Sequence, residues 1–163
     1  MQKFNFLMAM AYKYASYSPD KSNQNGAIIA DEHGQMITYG YNTFPPGIVW
    51  DEEQIEDRGW KLAFIEHAER NCIYSLIKKN AVRKNMIMVC PWFACTDCAR
   101  AISLAGIKKV VGHKQRMDQT PDRWKPSVEA GMSILKAGGV EMEFMDGILN
   151  ASPIIVNGNL WTP

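Results

Sequence analysis

Apolar and polar positions along the chain recur with two different periods, and each change of period marks a new element. Phe4, Leu7, Met8, Ala11 and Ala15 fall at helical spacing, which predicts a first helix over about residues 3–17, broken by Pro19. The stretches GAIIAD (26–31) and MITYGYN (36–42) read as two strands of a hairpin, with Asp31-Glu32-His33-Gly34 as the turn between them. From His67 onward the pattern is regular: HAERNCIYSLIKKN as a helix, MIMVC as a buried strand, TDCARAISLAG as a helix ending at Gly106, and KKVVGH as a strand. After a polar stretch, PSVEAGMSILKAGG forms a further helix, with Pro126 near its start and Gly138 past its end, and VEMEFM an alternating strand.

Two stretches resist this reading. Residues 43–65 open on Pro45-Pro46-Gly47, carry an acidic run over 51–57 and end in the apolar GWKLAFI. A connection this long inside a small domain is a functional loop, holds structure of its own, or both. Residues 146–163 are apolar enough to dock but show no assignable element.

The helix–strand alternation after His67 implies parallel pairing through right-handed crossovers. The expected fold is therefore α/β, a three-layer α/β/α arrangement around a central mixed sheet of about five strands, opened by the hairpin and finished in parallel. At 163 residues, 47% hydrophobic and 21% charged, the chain suits a single globular domain spanning 1–163. A net charge of +1 provides no field for a polyanion, and Lys78-Lys79 with Arg83-Lys84 reads as the polar end of a helix, so nucleic acid is not an expected partner. Tyr12, Lys13 and Tyr14 interrupt any secretory core at the N-terminus, and no apolar run is long enough to span a bilayer. A cytoplasmic location follows, in which the cysteines are reduced thiols or metal ligands rather than disulfides.

Two short motifs carry chemistry, each at the front of a predicted helix: His67-Ala68-Glu69, and Cys95-Thr96-Asp97-Cys98 following Pro91-Trp92-Phe93-Ala94. Both fall on the sheet edge where α/β ligand sites form. Imidazole nitrogen and thiolate sulfur suit zinc, and a helix N-terminus eases the ionisation of both cysteines. Three ligands leave a position open for water, which zinc acidifies, and Glu69 is the natural general acid/base. Residues two apart on a regular helix point to nearly opposite sides, so His67 has to sit at or before the cap. A redox pair fits poorly because the motif lacks the thioredoxin-like setting. A structural zinc site needs a fourth ligand from His33, His113, Cys72 or Cys90, of which the two cysteines read as small buried residues.

The pattern H-x-E…P-C-x-x-C is the signature of the zinc nucleobase deaminases, and the chain resembles that superfamily over nearly its whole length. Within it the sequence is similar to the deoxycytidylate deaminases, which convert dCMP to dUMP. The resemblance rests on DKSNQNGAII (20–29), Gly40-Tyr41-Asn42 with Phe44-Pro45, His67-Ala68-Glu69-Arg70-Asn71, Pro91 through Arg100, and Ala105-Gly106-Ile107-Lys108-Lys109-Val110; Arg123-Trp124 looks like the bacterial and phage members. It implies a cytidine deaminase-like fold and hydrolytic removal of the C4 amino group of a cytosine nucleotide by zinc-activated water, with Glu69 as proton shuttle. It also implies Asn42 on sugar or base, the Ala68 backbone on the pyrimidine carbonyl, the Phe93 carbonyl on the leaving amine, and Phe44 either stacked on the base or packing the loop. A homo-oligomer, hexameric in relatives, and regulation by dCTP and dTTP belong to the same implication. Ala94 departs from the signature, which has proline, and Asn25 stands where relatives carry an apolar residue. Lys21, Ser22, Asn23, Arg70 and Arg100 are candidate phosphate ligands. Competing readings are a tRNA adenosine deaminase or a free-purine deaminase of the same superfamily, and a non-catalytic deaminase-like zinc protein.

Overall fold

In the computed structural model, which describes residues 2–163 (the side chains of Gln2 and Lys3 excepted), β1 (Gly26–Ala30) and β2 (Met36–Tyr41) form the expected antiparallel hairpin, with Gly26 opposite Tyr41. Met1, the first residue of the expected domain, lies outside the described residues. The Asp31 carboxylate closes the turn by accepting from the His33 and Gln35 amides. On its other side β1 pairs antiparallel with β3 (Ile87–Val89). Parallel pairing then joins β3 to β4 (Lys109–His113) and β4 to β5 (Glu141–Met145), giving a five-stranded mixed sheet in the order β2-β1-β3-β4-β5.

Every residue of β1 is buried, as a continuous apolar run demands of a strand covered on both faces. Alternation sends Ala27 and Ile29 to one face and Ile28 and Ala30 to the other. The first face packs against α4 (Ala68–Lys78), α5 (Thr96–Leu104) and α7 (Lys125–Ala137) through Cys72, Leu76, Ala99, Ile102 and Leu135. The second is covered by α1 (Gln2–Ala15), whose Phe4, Leu7, Met8, Ala11, Tyr12 and Ala15 form the buried stripe. The result is three layers.

Helix α4 lies directly on β2: a Cβ at Gly40 would stand 2.4 Å from the Cys72 amide nitrogen and 2.7 Å from the Ala68 carbonyl oxygen. That close approach, which only glycine permits here, brings the start of α4 to the sheet edge.

The stretch over 43–65 holds two short helices, α2 (Glu52–Glu56) and α3 (Arg58–Phe64). Asp51 and Gln54 form a capping box on α2, and Asp57 caps α3 through the Trp60 amide. Phe44, Ile55 and Ile65 make a small core of their own beneath Trp60. The tail forms a second hairpin, β6 (Ile154–Val156) and β7 (Asn159–Trp161), whose Ile154 and Val156 complete the α1 side of the core. Helix α6 (Lys114–Met117) and a 3-10 turn (Asp122–Trp124) fill the polar stretch before α7. Among the described residues no helix is long and apolar enough to cross a membrane.

Candidate metal centre and adjoining pocket

His67 is the N-cap of α4, with extended backbone at φ −75°, ψ 152°, and its side chain makes no capping bond. The extended cap resolves the two-residue spacing: both His67 and Glu69 line one cavity. Cys95 is the N-cap of α5, again extended at φ −64°, ψ 169°, and Cys98 sits inside the first turn of that helix. Neither cap residue makes a capping bond with its own side chain, though the Thr96 amide at the start of α5 donates to Ser127 Oγ at 3.2 Å, and both helix starts line the same cavity.

His67 Nδ1 lies 3.4 Å from Cys95 Sγ and 3.5 Å from Cys98 Sγ. Among the described residues these are the ligand atoms gathered as a group, all within 4.8 Å of one another. A tetrahedral ion at about 2.0–2.3 Å from nitrogen and sulfur separates its ligands by about 3.5 Å, so the donor set and the spacing fit zinc. His33 is exposed on the hairpin turn, His113 is held by Tyr12 and Gly147, and Cys72 and Cys90 are buried in the core, so none joins the group.

The electrostatics suit a cation. The hydrogen bond from Cys98 holds the Cys95 thiol down at about 3 against burial, with His67 assisting, while the same bond and burial push the Cys98 thiol up. Burial lowers the His67 imidazole, but its bond to Cys95 and the charges on Glu69 and Cys95 outweigh that and leave it raised. Burial pushes the Glu69 carboxyl up to about 7, against the lowering influence of His67. Glu69 is 3% exposed and no salt bridge satisfies it among the described residues.

The cavity that holds these groups is walled by Ala68, Phe93 and Asn42, which the sequence put forward as substrate contacts, and by Ala94. Asn42 is heavily committed inside the protein: its Oδ1 accepts from the Asn25 amide at 2.7 Å, and its Nδ2 donates to the Asn23 carbonyl at 2.9 Å and to Asp20 Oδ2 at 3.3 Å. Phe44 does not line the cavity; it is buried among Ile55, Ile65, Trp50 and Trp60. Of the two roles the sequence left open for it, packing of the loop is the one the structure gives.

Among the candidate phosphate ligands, Ser22 and Asn23 reach the cavity. Lys21 pairs with Glu52 and Glu56, Arg70 with Glu66 and Asp97, and Arg100 with Asp97. The sequence reading missed Arg58 and Lys61 from α3 and gave Arg123 no role, yet all three line the cavity, with Trp92 and Trp124. Lys61 was legible in retrospect as a lone cation inside the apolar GWKLAFI. Its Nζ lies 2.8 Å from Asp20 Oδ1 and 2.9 Å from Ser22 Oγ.

Nitrogen and sulfur donors converging at two helix starts, with a buried carboxyl beside them in an α/β/α sheet, make a donor set of the kind hydrolytic zinc enzymes use. Residues 1–114 match the sequence model of the cytidine and deoxycytidylate deaminase zinc-binding region, and the chain belongs to that family. It is 33% identical over 111 residues to the deoxycytidylate deaminase of Mus musculus, a match covering 65% of this chain and 61% of the mouse enzyme. The deoxycytidylate deaminase of Homo sapiens is 28% identical over 157 residues, covering 93% of this chain and 83% of the human enzyme. The crystal structure of dCMP deaminase from the cyanophage S-TIM5 in complex with dCMP and dUMP aligns with a TM-score of 0.63 at 24% identity, covering 86% of this chain and 94% of that one. The fold expected from the sequence is thus that of a solved deaminase.

Proposed function

We propose that the chain, as one domain over residues 1–163, hydrolyses dCMP to dUMP and ammonia with zinc held by His67, Cys95 and Cys98. The observation that carries this is Glu69, buried without an ion-pair partner among the described residues, in the cavity that His67 and Cys95 also line. Zinc supplies the Lewis acidity that makes a water molecule nucleophilic near neutral pH. Glu69, as carboxylate, carries one proton from the attacking water to cytosine N3, then carries the second from the oxygen added at C4 to the departing amine. Carbon C4 gains an oxygen and loses NH3, so the base leaves as uracil. The Ala68 amide, an uncapped donor at the start of α4, meets the pyrimidine O2, and the Phe93 carbonyl accepts from the leaving amino group. With both hydrogens of Nδ2 committed, Asn42 offers a sugar hydroxyl an acceptor.

The cationic mouth supports a nucleotide over a nucleoside. Arg58 and Arg123 line the cavity, are exposed, and belong to none of the salt bridges that hold Lys21, Arg70 and Arg100 in place. A guanidinium pair suits a phosphate dianion. Control by dCTP and dTTP is supported by the reach of α3 into the cavity, since a ligand that shifted α3 would move Arg58 and Lys61.

Ammonia release from dCMP, CMP, dCTP, deoxycytidine and a deoxyadenosine nucleotide tests the reading. Turnover is expected to be fastest with dCMP; turnover confined to the purine overturns it.

A further inference from the structure

The strand that leads to the metal centre leaves the sheet at Pro91, whose carbonyl still accepts from the His113 amide at 3.1 Å. Helix α5 begins at Cys95, whose carbonyl accepts from the Ala99 amide at 2.9 Å. Between them the chain must be held in place, because Cys95 has to present its sulfur at a fixed distance from His67. Deaminases of this signature carry proline directly before the first cysteine, and proline fixes φ there. This chain has Ala94, which removes that restraint.

The intervening segment is gripped at Trp92. Asn25 Nδ2 donates to the Trp92 carbonyl at 2.7 Å, and Cys90 Sγ makes a longer contact of 3.3 Å with the same oxygen. The indole Nε1 donates to Thr120 Oγ1 at 2.9 Å, and the Arg116 guanidinium lies 4.3 Å from the ring centroid. Asn25 is itself only 6% exposed and is anchored by its own amide, which donates to Asn42 Oδ1. Its Oδ1 is buried with no hydrogen-bond partner. Leaving that oxygen unsatisfied costs the fold stability, and Nδ2 is committed to the Trp92 carbonyl and, at 3.4 Å, to Cys90 Sγ.

We infer that Asn25 is a positioning residue for the metal centre, restraining the 92–95 segment in the place of the proline that Ala94 lacks. Asn25 lines the cavity but is not in the ligand group, and it acts on Cys95 through the Trp92 carbonyl. The inference rests on Cys95 being a zinc ligand.

Asn25→Leu keeps a γ-branched outline and removes the donor together with the orphaned oxygen. The zinc-loaded variant is expected to release its metal to a chromophoric chelator about tenfold faster than wild type, the factor commanded by one buried hydrogen bond. Amide exchange is expected to quicken over residues 92–96 while β1 keeps its protection, since beyond the Trp92 bond the substitution removes only the 3.4 Å contact of Nδ2 with Cys90 Sγ and leaves the Asn25 backbone amide bonded to Asn42. In an Ala94→Pro background the same substitution is expected to change zinc release less than about twofold, because proline then supplies the restraint. Zinc release at the wild-type rate overturns the inference, as does faster exchange throughout the sheet, or an equal effect in both backgrounds. The exchange measurement needs no second substitution and decides alone should Ala94→Pro fail to fold. Wild-type protein that takes up no zinc overturns both this inference and the metal assignment beneath it; a zinc-binding wild type with an unaffected Asn25→Leu variant overturns this inference alone.

Discussion

Lys61 Nζ lies 2.8 Å from Asp20 Oδ1, with the two side chains only 8% and 10% exposed. The pair joins α3 to the turn after α1, and Asp20 in turn accepts from the Ser22 amide at 2.7 Å and from Asn42 Nδ2 at 3.3 Å. A single buried ion pair thus ties the long connection over 43–65 to the wall of the cavity. Lys61→Met leaves the Asp20 carboxylate buried and unpaired, at an expected cost of about 3–5 kcal/mol. Urea unfolding measures it. Adding Asp20→Asn to that variant is expected to recover part of the loss, because the orphaned charge is then gone; strictly additive losses would rule out the coupling.

For Glu69→Gln, shape and volume are kept and the proton acceptor is removed. The turnover number for dCMP is expected to fall by about 10²–10⁴, the usual contribution of general acid–base catalysis. Zinc content by metal analysis is expected to equal that of wild type, because the ligand group does not include Glu69. Retained turnover would refute the shuttle role.

The His67, Cys95 and Cys98 group, the sheet and most helices were legible because each has a local signal: a two- or 3.6-residue period, a cap, or a short motif. His67 at an extended cap followed from geometry alone, since His67 and Glu69 cannot share a helical face. The helices over 43–65 were hidden because α2 has five residues and α3 seven, too few for a period to show. The tail hairpin has strands of three residues each, and its apolar positions make sense only against α1. The cavity mouth was hidden for another reason. Arg58 and Lys61 on α3 are far in sequence from Arg123 and from the metal-site motifs, and only the fold brings them together.

Arg58→Ala and Arg123→Ala test that mouth. Each is expected to raise the KM for dCMP about tenfold, as the loss of a charge-assisted bond to phosphate would. The KM for deoxycytidine is expected to stay within twofold, roughly, because that substrate carries no phosphate for either group to meet. Parallel losses on both substrates would place the arginines outside phosphate recognition.

His113 predicts a pH dependence of stability away from the metal centre. It is fully buried; its Nε2–H donates to the Gly147 carbonyl at 2.8 Å, so its Nδ1 accepts the Tyr12 hydroxyl at 2.6 Å. Burial holds its pKa below the ordinary 6.5, against the opposing pull of Gly147 and Asp146. The folded chain therefore keeps His113 neutral where the unfolded chain takes up a proton. Its contribution is fully present above pH 6.5 and is lost as the pH falls from 6.5 towards the folded value. Urea unfolding at stepped pH is expected to show wild type losing at most about 1.4 kcal/mol per pH unit more than His113→Gln in that window. Identical slopes would remove His113 as the cause.

Gly131→Ala separates helix propensity from packing at the metal loop. In an exposed helix interior this substitution stabilises by about 1 kcal/mol. Here the added Cβ would stand 2.1 Å from the Ala94 carbonyl oxygen and 3.2 Å from the Cys95 carbonyl carbon. Both are backbone atoms of the segment that presents Cys95, so neither can turn aside as a flexible side chain would. One of α7 and that segment has to shift, at an expected net cost of about 1–3 kcal/mol. The direction of the shift decides what else is lost. Helix α5, which carries Cys98, packs against α7, so movement of the segment pulls Cys95 away from a fixed Cys98 and weakens zinc retention. Movement of α7 alone lowers the unfolding midpoint and leaves the metal in place. The first outcome is expected, because α7 is held along its length by Val128 and Leu135 in buried positions while the 92–95 segment is gripped chiefly at Trp92. Zinc release to a chelator, measured beside the unfolding midpoint, distinguishes them; a variant as stable and as metal-retentive as wild type would contradict the close approach itself.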